Sequence, residues 1–262
     1  MKCIVSTLVV GLLFIGNLTF AQFNLRTQKQ SSLTVENCLL PKAPFLKSRG
    51  LQKAFAVPLL FTAAGLYSIT DNDLINKLEV QEERNELIPK FRSHIDDYLQ
   101  YAPIAAVYGL NAIGIKGKNN FGNRTAILIK SELLVGILTY SLKKITAVPR
   151  PDTGQPTSFP SGHTAQAFAA ATFMAKEYGH KSIWYSIGAY TVATGIGTMR
   201  VMNNRHWVSD VLVGAGIGIL STNLVYLTHQ YKWGKKKSSG QTLIIPSYDG
   251  QTGMVNVVHR FR

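Results

Sequence analysis

From residue 98 to residue 231 the chain alternates long apolar stretches with short polar separators. Five stretches have helical length, at 98–115, 125–143, 163–178, 182–199 and 207–231, and the separators are marked by Gly or Pro. That is the pattern of an antiparallel helical bundle. No strand-like alternation occurs in this region. Upstream, residues 54–69 form an apolar run interrupted early by Pro58. Residues 71–97 are acidic and polar, with Asp71, Asp73, Glu79, Glu82, Glu83, Glu86, Asp96 and Asp97, and their periodic Leu74, Leu78 and Leu87 predict a solvated amphipathic helix. The expected fold is all-α, an antiparallel bundle of about six core helices embedded in a membrane. Gly214, Gly216 and Gly218 in the last segment let a neighbouring helix approach closely.

The two ends differ from this core. Residues 1–21 begin with Lys2, run apolar from Ile4 to Ile15 and reach Thr19-Phe20-Ala21, which reads as a secretory signal cut after Ala21 or as an uncleaved N-terminal anchor. Residues 22–97 hold a basic lead-in, the short apolar segment and the acidic helix. Residues 98–231 are the expected catalytic core. In the tail, 232–262, the β-prone stretches 242–245 and 254–258 flank Asp249-Gly250 and Gly253 and predict a small hairpin.

Composition alone leaves a membrane protein and a soluble enzyme both open. Of the 262 residues, 46% are hydrophobic and 16% charged, below the roughly 25% charged of an average soluble protein. The formal net charge of +14 invites a nucleic-acid partner, yet no basic helix, RNA-binding signature or zinc-finger spacing accompanies it. Anionic lipid or a phosphorylated substrate draws the same excess of cations. Cys3 leaves with the signal and Cys38 stands alone, so neither a disulfide framework nor a cysteine metal site is available. Nothing in the sequence calls for an obligate protein partner.

Three short stretches carry chemistry. Lys143 and Arg150 would share a helix face, but Pro149 and Pro151 stop the helix before Arg150 and place it on a loop that folds back. Taken alone, Lys143-Lys144 is an ordinary dipole-favoured helix end, and Lys144 stands in for Lys143 if that end winds differently. Pro160-Ser161-Gly162-His163 opens a helix, with Ser161 as cap and Gly162 allowing close approach, which makes either an anion site or a plain Ser-Gly cap. His206 and Asp210, at the start of the final helix, share a face and can hydrogen-bond, fixing the tautomer so that the other imidazole nitrogen is nucleophilic. Arg200 upstream tips that pair toward an anion. His163, His206 and Asp210 also suit a transition metal, but Lys143, Arg150 and Arg200 would crowd it. Each like-charge pair at ~4 Å costs about 4 kcal/mol at an effective dielectric of 20. The cations fit a phosphate and oppose a metal.

The pattern Lys143-x6-Arg150-Pro151, Pro160-Ser161-Gly162-His163 and Arg200-x5-His206-x3-Asp210 resembles the type 2 phosphatidic acid phosphatase (PAP2) superfamily, which includes vanadium haloperoxidases. The resemblance spans residues 143–210 and extends to the helices from about 98 to 230. It implies a metal-independent phosphatase without a cofactor, acting on a phosphorylated lipid such as lipid A, undecaprenyl diphosphate or a phosphatidyl head group. In that scheme His206 attacks phosphorus to give a phosphohistidine, Asp210 orients it, and His163 protonates the leaving alkoxide and then activates water. Lys143, Arg150, Ser161, Gly162 and Arg200 hold the phosphoryl oxygens. The chain departs from the family at Met199, where a serine is common, losing one hydroxyl from the shell.

If the bundle spans a membrane, Lys116, Lys118, Arg124, Lys176, Lys181 and the 232–237 lysine cluster fall on one side and the motif loops on the other. The positive-inside rule then places the active site in the periplasm, with the protein in the inner membrane. Residues 54–69 are short of the roughly 20 needed to span and read as re-entrant or interfacial. The alternative is a soluble periplasmic acid phosphatase of broad specificity, favoured by Lys130 and Glu132, which are expensive in lipid. A non-enzymatic phosphate- or lipid-binding scaffold is a third reading.

Overall fold

Prolines and capping residues set the helix limits in the computed structural model, which describes residues 49–70, 76–230 and two strands near the C-terminus. The signal segment, most of the basic lead-in, residues 71–75 and the stretch 231–241 lie outside the described residues. Helix α1 spans Arg49–Tyr67 and continues through Pro58. Pro58 has no N–H, so the carbonyl of Ala54 loses its helical donor. Asn223, from the last helix, supplies the replacement by donating Nδ2 to that carbonyl at 3.0 Å. The interruption expected at Pro58 is thereby repaired from outside the helix.

The single amphipathic helix expected over 71–97 is instead two, α2 at Lys77–Leu87 and α3 at Ile95–Leu99. Asn76 caps α2 by accepting from Leu78 N, and Pro89 pushes Ile88 out of helical geometry and ends it. The stretch expected at 98–115 also breaks: α4 is Ala102–Ala112, restarted by Pro103 in its first turn, where a missing N–H costs nothing. Helix α5 runs Phe121–Thr146, from an Asn120 cap to a left-handed Ala147. Next come α6 at Gly162–Tyr178, capped by Ser161, and α7 at Ile183–Met202, capped by Ser182. Helix α8 is Val208–Thr228. The architecture of this unit is the expected all-α bundle.

Helix α8 is its axis, packed by α1, α5, α6 and α7, and α6 lies against α4, α5, α7 and α8. Small residues make this possible. Ala165, Ala167, Ala169, Ala170 and Ala171 of α6 are buried. A Cβ at Gly214 would stand 2.6 Å from the Ser161 carbonyl at the start of α6, and one at Gly216 would stand 2.6 Å from Thr62 Oγ1 of α1. These glycines therefore seat α8 between α1 and α6, the close approach their spacing predicts.

The outer face of α5 is apolar and exposed: Ile129, Leu133, Ile137 and Tyr140 all lie on it. By length and composition, α5 and α8 are the two described helices that could cross a membrane. Arg124 and Lys143 mark the ends of α5 and lie about 28 Å apart along it, at 1.5 Å per residue. At the Arg124 end, a buried ion pair ties three helices together. Glu177 of α6 meets Arg124 Nε at 3.3 Å and accepts from Asn119 N at 3.0 Å and Tyr226 Oη at 2.7 Å.

The C-terminal residues form a separate unit. Strands β1, Thr242–Tyr248, and β2, Gly253–His259, pair antiparallel with Thr242 opposite His259 and Tyr248 opposite Gly253. This is the predicted hairpin with longer arms.

Candidate active site

The loop between α5 and α6 and the turn between α7 and α8 meet at the Lys143 end of the bundle. Trp207 caps α8, and its N–H donates to Asp210 Oδ2 at 3.0 Å from within the first turn. His206 therefore sits just outside the helix rather than on a shared helical face. The cap geometry still brings His206 Nδ1 to 3.4 Å from Asp210 Oδ2. Both side chains are buried. The same carboxylate oxygen accepts from Ser158 Oγ, and Ser209 Oγ reaches Oδ1 at 3.3 Å. With three donors already fixing it, Asp210 holds Nδ1, which leaves Nε2 as the nitrogen of the neutral ring that carries the lone pair.

Lys143 points into the same region, and Lys144 does not: its ammonium lies 5.7 Å from the Tyr140 ring on the outer face. Lys143 Nζ donates to the carbonyls of Thr157 (2.7 Å), Ser158 (3.2 Å) and Pro160 (2.6 Å). All three ammonium protons are thus engaged by the loop that leads into Ser161. Arg150 lies on a loop that folds back, with its N–H on Gln155 O at 2.9 Å, and its Nε donates to Thr157 Oγ1 at 3.1 Å. Ser161 N donates to Asp210 O at 2.9 Å, tying the start of α6 to α8. Its hydroxyl is buried against Thr164, at 2.9 Å from Oγ1. At Gly162, by contrast, a Cβ would meet nothing within 4 Å, so the backbone there borders open space.

Two further residues, absent from the motif pattern, complete the cluster. Asp96 of α3 is fully buried and accepts from Arg200 Nη1 at 2.6 Å. Asp97 accepts from His163 Nε2 at 2.9 Å and lies 3.8 Å from Arg200 Nη1. Arg200 Nε is buried with no hydrogen-bond partner among the described residues. The short helix α3 is held over α7 by Asn203, whose Nδ2 donates to Ser93 O at 2.8 Å. Helix α2 braces the same turn, with Arg84 Nη2 on Met202 O at 2.7 Å.

The electrostatics separate the two histidines. Burial pushes His206 down to about 4, and the Lys143 and Arg200 charges add to this against the Asp210 carboxylate. His163 is lowered less far, by burial and by Arg200, because Asp97 and Asp96 oppose the shift. For Asp97, burial alone would raise the carboxyl, but hydrogen bonds from His163 and His94 and the Arg200 charge bring it below its ordinary value.

The PAP2 superfamily family model matches residues 124–234. A curated relative named lipid A 1-phosphatase, from Porphyromonas gingivalis, is 37% identical over 174 residues, covering 65% of this chain. The chain spans 37% of that relative's length. Among solved structures, Aquifex aeolicus LpxE is 23% identical with a TM-score of 0.43, covering 56% of this chain and 93% of that one. The first transmembrane PAP2 type phosphatidylglycerolphosphate phosphatase from Bacillus subtilis is 20% identical with a TM-score of 0.39, covering 83% and 94%. Lys143, Arg150, His163, Arg200, His206 and Asp210 fall within the matched PAP2 region, whereas Asp96 and Asp97 precede it.

Proposed function

We propose that the chain is a metal-independent PAP2 phosphatase that removes phosphate from a lipid phosphomonoester or diphosphate through a phosphohistidine on His206. The observation that carries this is the buried His206–Asp210 pair at 3.4 Å, in a pocket of fixed cations. Nε2 of His206 attacks phosphorus as the P–O bond to the leaving group breaks, and His163 delivers a proton to that oxygen. Water then attacks the phosphohistidine while His163 takes its proton, releasing phosphate and free His206. The Arg150 and Arg200 guanidiniums and the Gly162 backbone hold the phosphoryl oxygens and stabilise their charge at the transition state. Lys143 contributes a fixed charge and positions the 157–160 loop, since its protons already serve three carbonyls. Ser161, its hydroxyl turned into the cap, acts by anchoring α6.

A membrane setting is supported by the exposed apolar stripe along α5, too large to be left in water. With the basic loops at the far end of α5, the positive-inside rule orients the site toward the periplasm from the inner membrane. The curated relative suggests lipid A as the first substrate to test. The experiment is phosphate release by purified protein from lipid A, undecaprenyl diphosphate, phosphatidylglycerophosphate and a soluble ester. Turnover of lipids at a kcat/KM far above that of the soluble ester, lost in His206→Ala, is the expected result. Equal turnover of the soluble ester by protein recovered without detergent would replace this reading with the soluble acid phosphatase, and activity surviving in His206→Ala would end the phosphohistidine scheme.

A further inference from the structure

The geometry points to Asp97 as the positioning residue of the general acid: it holds His163 through Nε2, so that Nδ1 is the nitrogen that exchanges protons with the leaving oxygen and with water. This rests on the phosphatase reading above. Asp97 Oδ1 is 2.9 Å from His163 Nε2, a charge-assisted distance, and Asp97 is held in place by α3, whose neighbouring Asp96 anchors Arg200 at 2.6 Å. The two adjacent carboxylates divide the work. Asp96 takes the guanidinium that faces phosphate, and Asp97 takes the imidazole that faces the leaving group. One imidazole nitrogen bound to a carboxylate fixes the tautomer and makes the other the functional one, the logic that His206 and Asp210 already follow across the site. The site thus contains two imidazole–carboxylate pairs, one for attack and one for proton transfer.

Proton bookkeeping closes in both steps. The imidazolium gives its Nδ1 proton to the alkoxide as the P–O bond breaks and keeps Nε2–H on Asp97. In the second step Nδ1 regains a proton from the attacking water as the P–N bond breaks. The charged groups acting on His163 are Asp96 and Asp97 from α3 and Arg200 from α7. Of the other helices packed on α6, α5 carries Glu132, bound by Gln166 Nε2 at 2.9 Å, and Lys143, bound to carbonyls. Helix α8 carries Asp210 on His206, α4 carries no charge, and His94 bears on Asp97 at 3.4 Å. Arg200 disfavours the imidazolium, so the Asp97 carboxylate is the group that keeps the acid form within reach.

The test is Asp97→Asn assayed on two phosphate monoesters, octyl phosphate and p-nitrophenyl phosphate. An alkoxide leaving group needs a proton and a nitrophenolate does not, so general-acid loss appears only with the first. The expected result, read in the first turnover so that the water step common to both esters does not enter, is a fall of about 100-fold in the rate of octanol release from octyl phosphate, the scale of general acid catalysis, with a change under about 3-fold in the rate of nitrophenolate release. The basic limb of the octyl phosphate profile should move to lower pH, and Asp97→Glu should recover part of the rate. The amplitude of the nitrophenolate burst on the same preparation reports the folded fraction, and the rates are scaled to it. An equal fall in the two scaled first-turnover rates, or no fall in either, overturns the assignment. The His206→Ala control on the wild-type background tests the phosphatase reading separately, because it should abolish both activities whatever Asp97 does.

Discussion

Substituting Asp210 by Asn tests whether the carboxylate serves His206 by charge or by orientation. With a pKa of about 4, His206 is about 90% neutral at pH 5, whereas at the reference value of 6.5 it would be about 3% neutral, a roughly 30-fold difference in available nucleophile. Asp210 opposes that depression, so removing its charge lowers the pKa further and leaves His206 neutral at every working pH. The nucleophile gains in protonation state, yet the rate should fall about 10³- to 10⁴-fold, because an amide fixes the wrong tautomer and Nε2 loses its lone pair. The assay is the imidazole ¹⁵N spectrum between pH 7 and pH 4, assigned by His206→Gln, beside phosphate release over the same range. His206 titrating within one unit of 6.5 in the wild type would refute the burial argument, and rescue of Asp210→Asn by raising the pH would refute orientation as the cause. A stability consequence has the same sign. The folded-state pKa lies below the unfolded one, so His206 favours the fold above pH 6.5, by about 3 kcal/mol. That contribution disappears as pH falls toward 4, and His206→Gln should flatten this part of the stability profile.

Five other substitutions separate structural from chemical roles. Lys143→Arg keeps the charge but replaces three radial donors by a planar fork that does not match the Thr157, Ser158 and Pro160 carbonyls, so kcat should fall at least 10-fold. Asn223→Leu leaves the Ala54 carbonyl unpaired at Pro58 and should cost about 1–3 kcal/mol, read as a lower Tm with activity per folded molecule unchanged. Gly214→Ala drives a methyl to 2.6 Å from Ser161 O, costing about 1–3 kcal/mol and lowering kcat through displacement of the His163 helix, whereas Gly136→Ala, with nothing within 4 Å, should be silent. Glu177→Gln strands buried Arg124 about 28 Å along α5 from the site and should cost about 3–5 kcal/mol without changing the pH profile.

The motif half of the candidate site is legible because its residues occur in fixed local patterns. Lys143 with Arg150, the Ser161–His163 turn and Arg200 through Asp210 each place a functional group within a turn or two of a cap or a proline. Asp96 and Asp97 carry no such signal. They close an acidic stretch whose other members, Glu79, Glu82, Glu83 and Glu86, form a polar run on α2, and composition cannot separate the buried Asp96 and the half-exposed Asp97 from that run. Only the break at Pro89 and the restart at Pro103 reveal that residues 95–99 are a separate short helix. Ser158 was equally silent, since a serine before the cis Phe159–Pro160 bond looks like any loop hydroxyl. Lys143 and Lys144 are indistinguishable by type, and helix phase alone sends one inward and the other over Tyr140.

The charges of the cluster come close to cancelling before any substrate arrives. Lys143, Arg150 and Arg200 are matched in number by Asp96, Asp97 and Asp210, and neutral His206 adds nothing. Such a site does not bind anions by net charge. On the proposed reading, selectivity for a phosphoryl group comes from direction: the carboxylates sit behind the cations and histidines, so that Arg200 is held from the rear by Asp96 while its Nε has no partner among the described residues. A buried donor without a partner costs about 1–3 kcal/mol, and that cost is relieved when a phosphoryl oxygen accepts from it. Preorganised dipoles of this kind need no rearrangement as negative charge grows on the equatorial oxygens. The same arrangement disfavours chloride and carboxylates, which cannot reach Arg200, Gly162 and His206 Nε2 together. Inhibition should therefore follow geometry rather than charge, with vanadate, phosphate and the equally tetrahedral sulfate strong, and chloride, acetate and the dianion malonate weak at equal ionic strength. An inhibition series that ranked these anions by charge alone would contradict it.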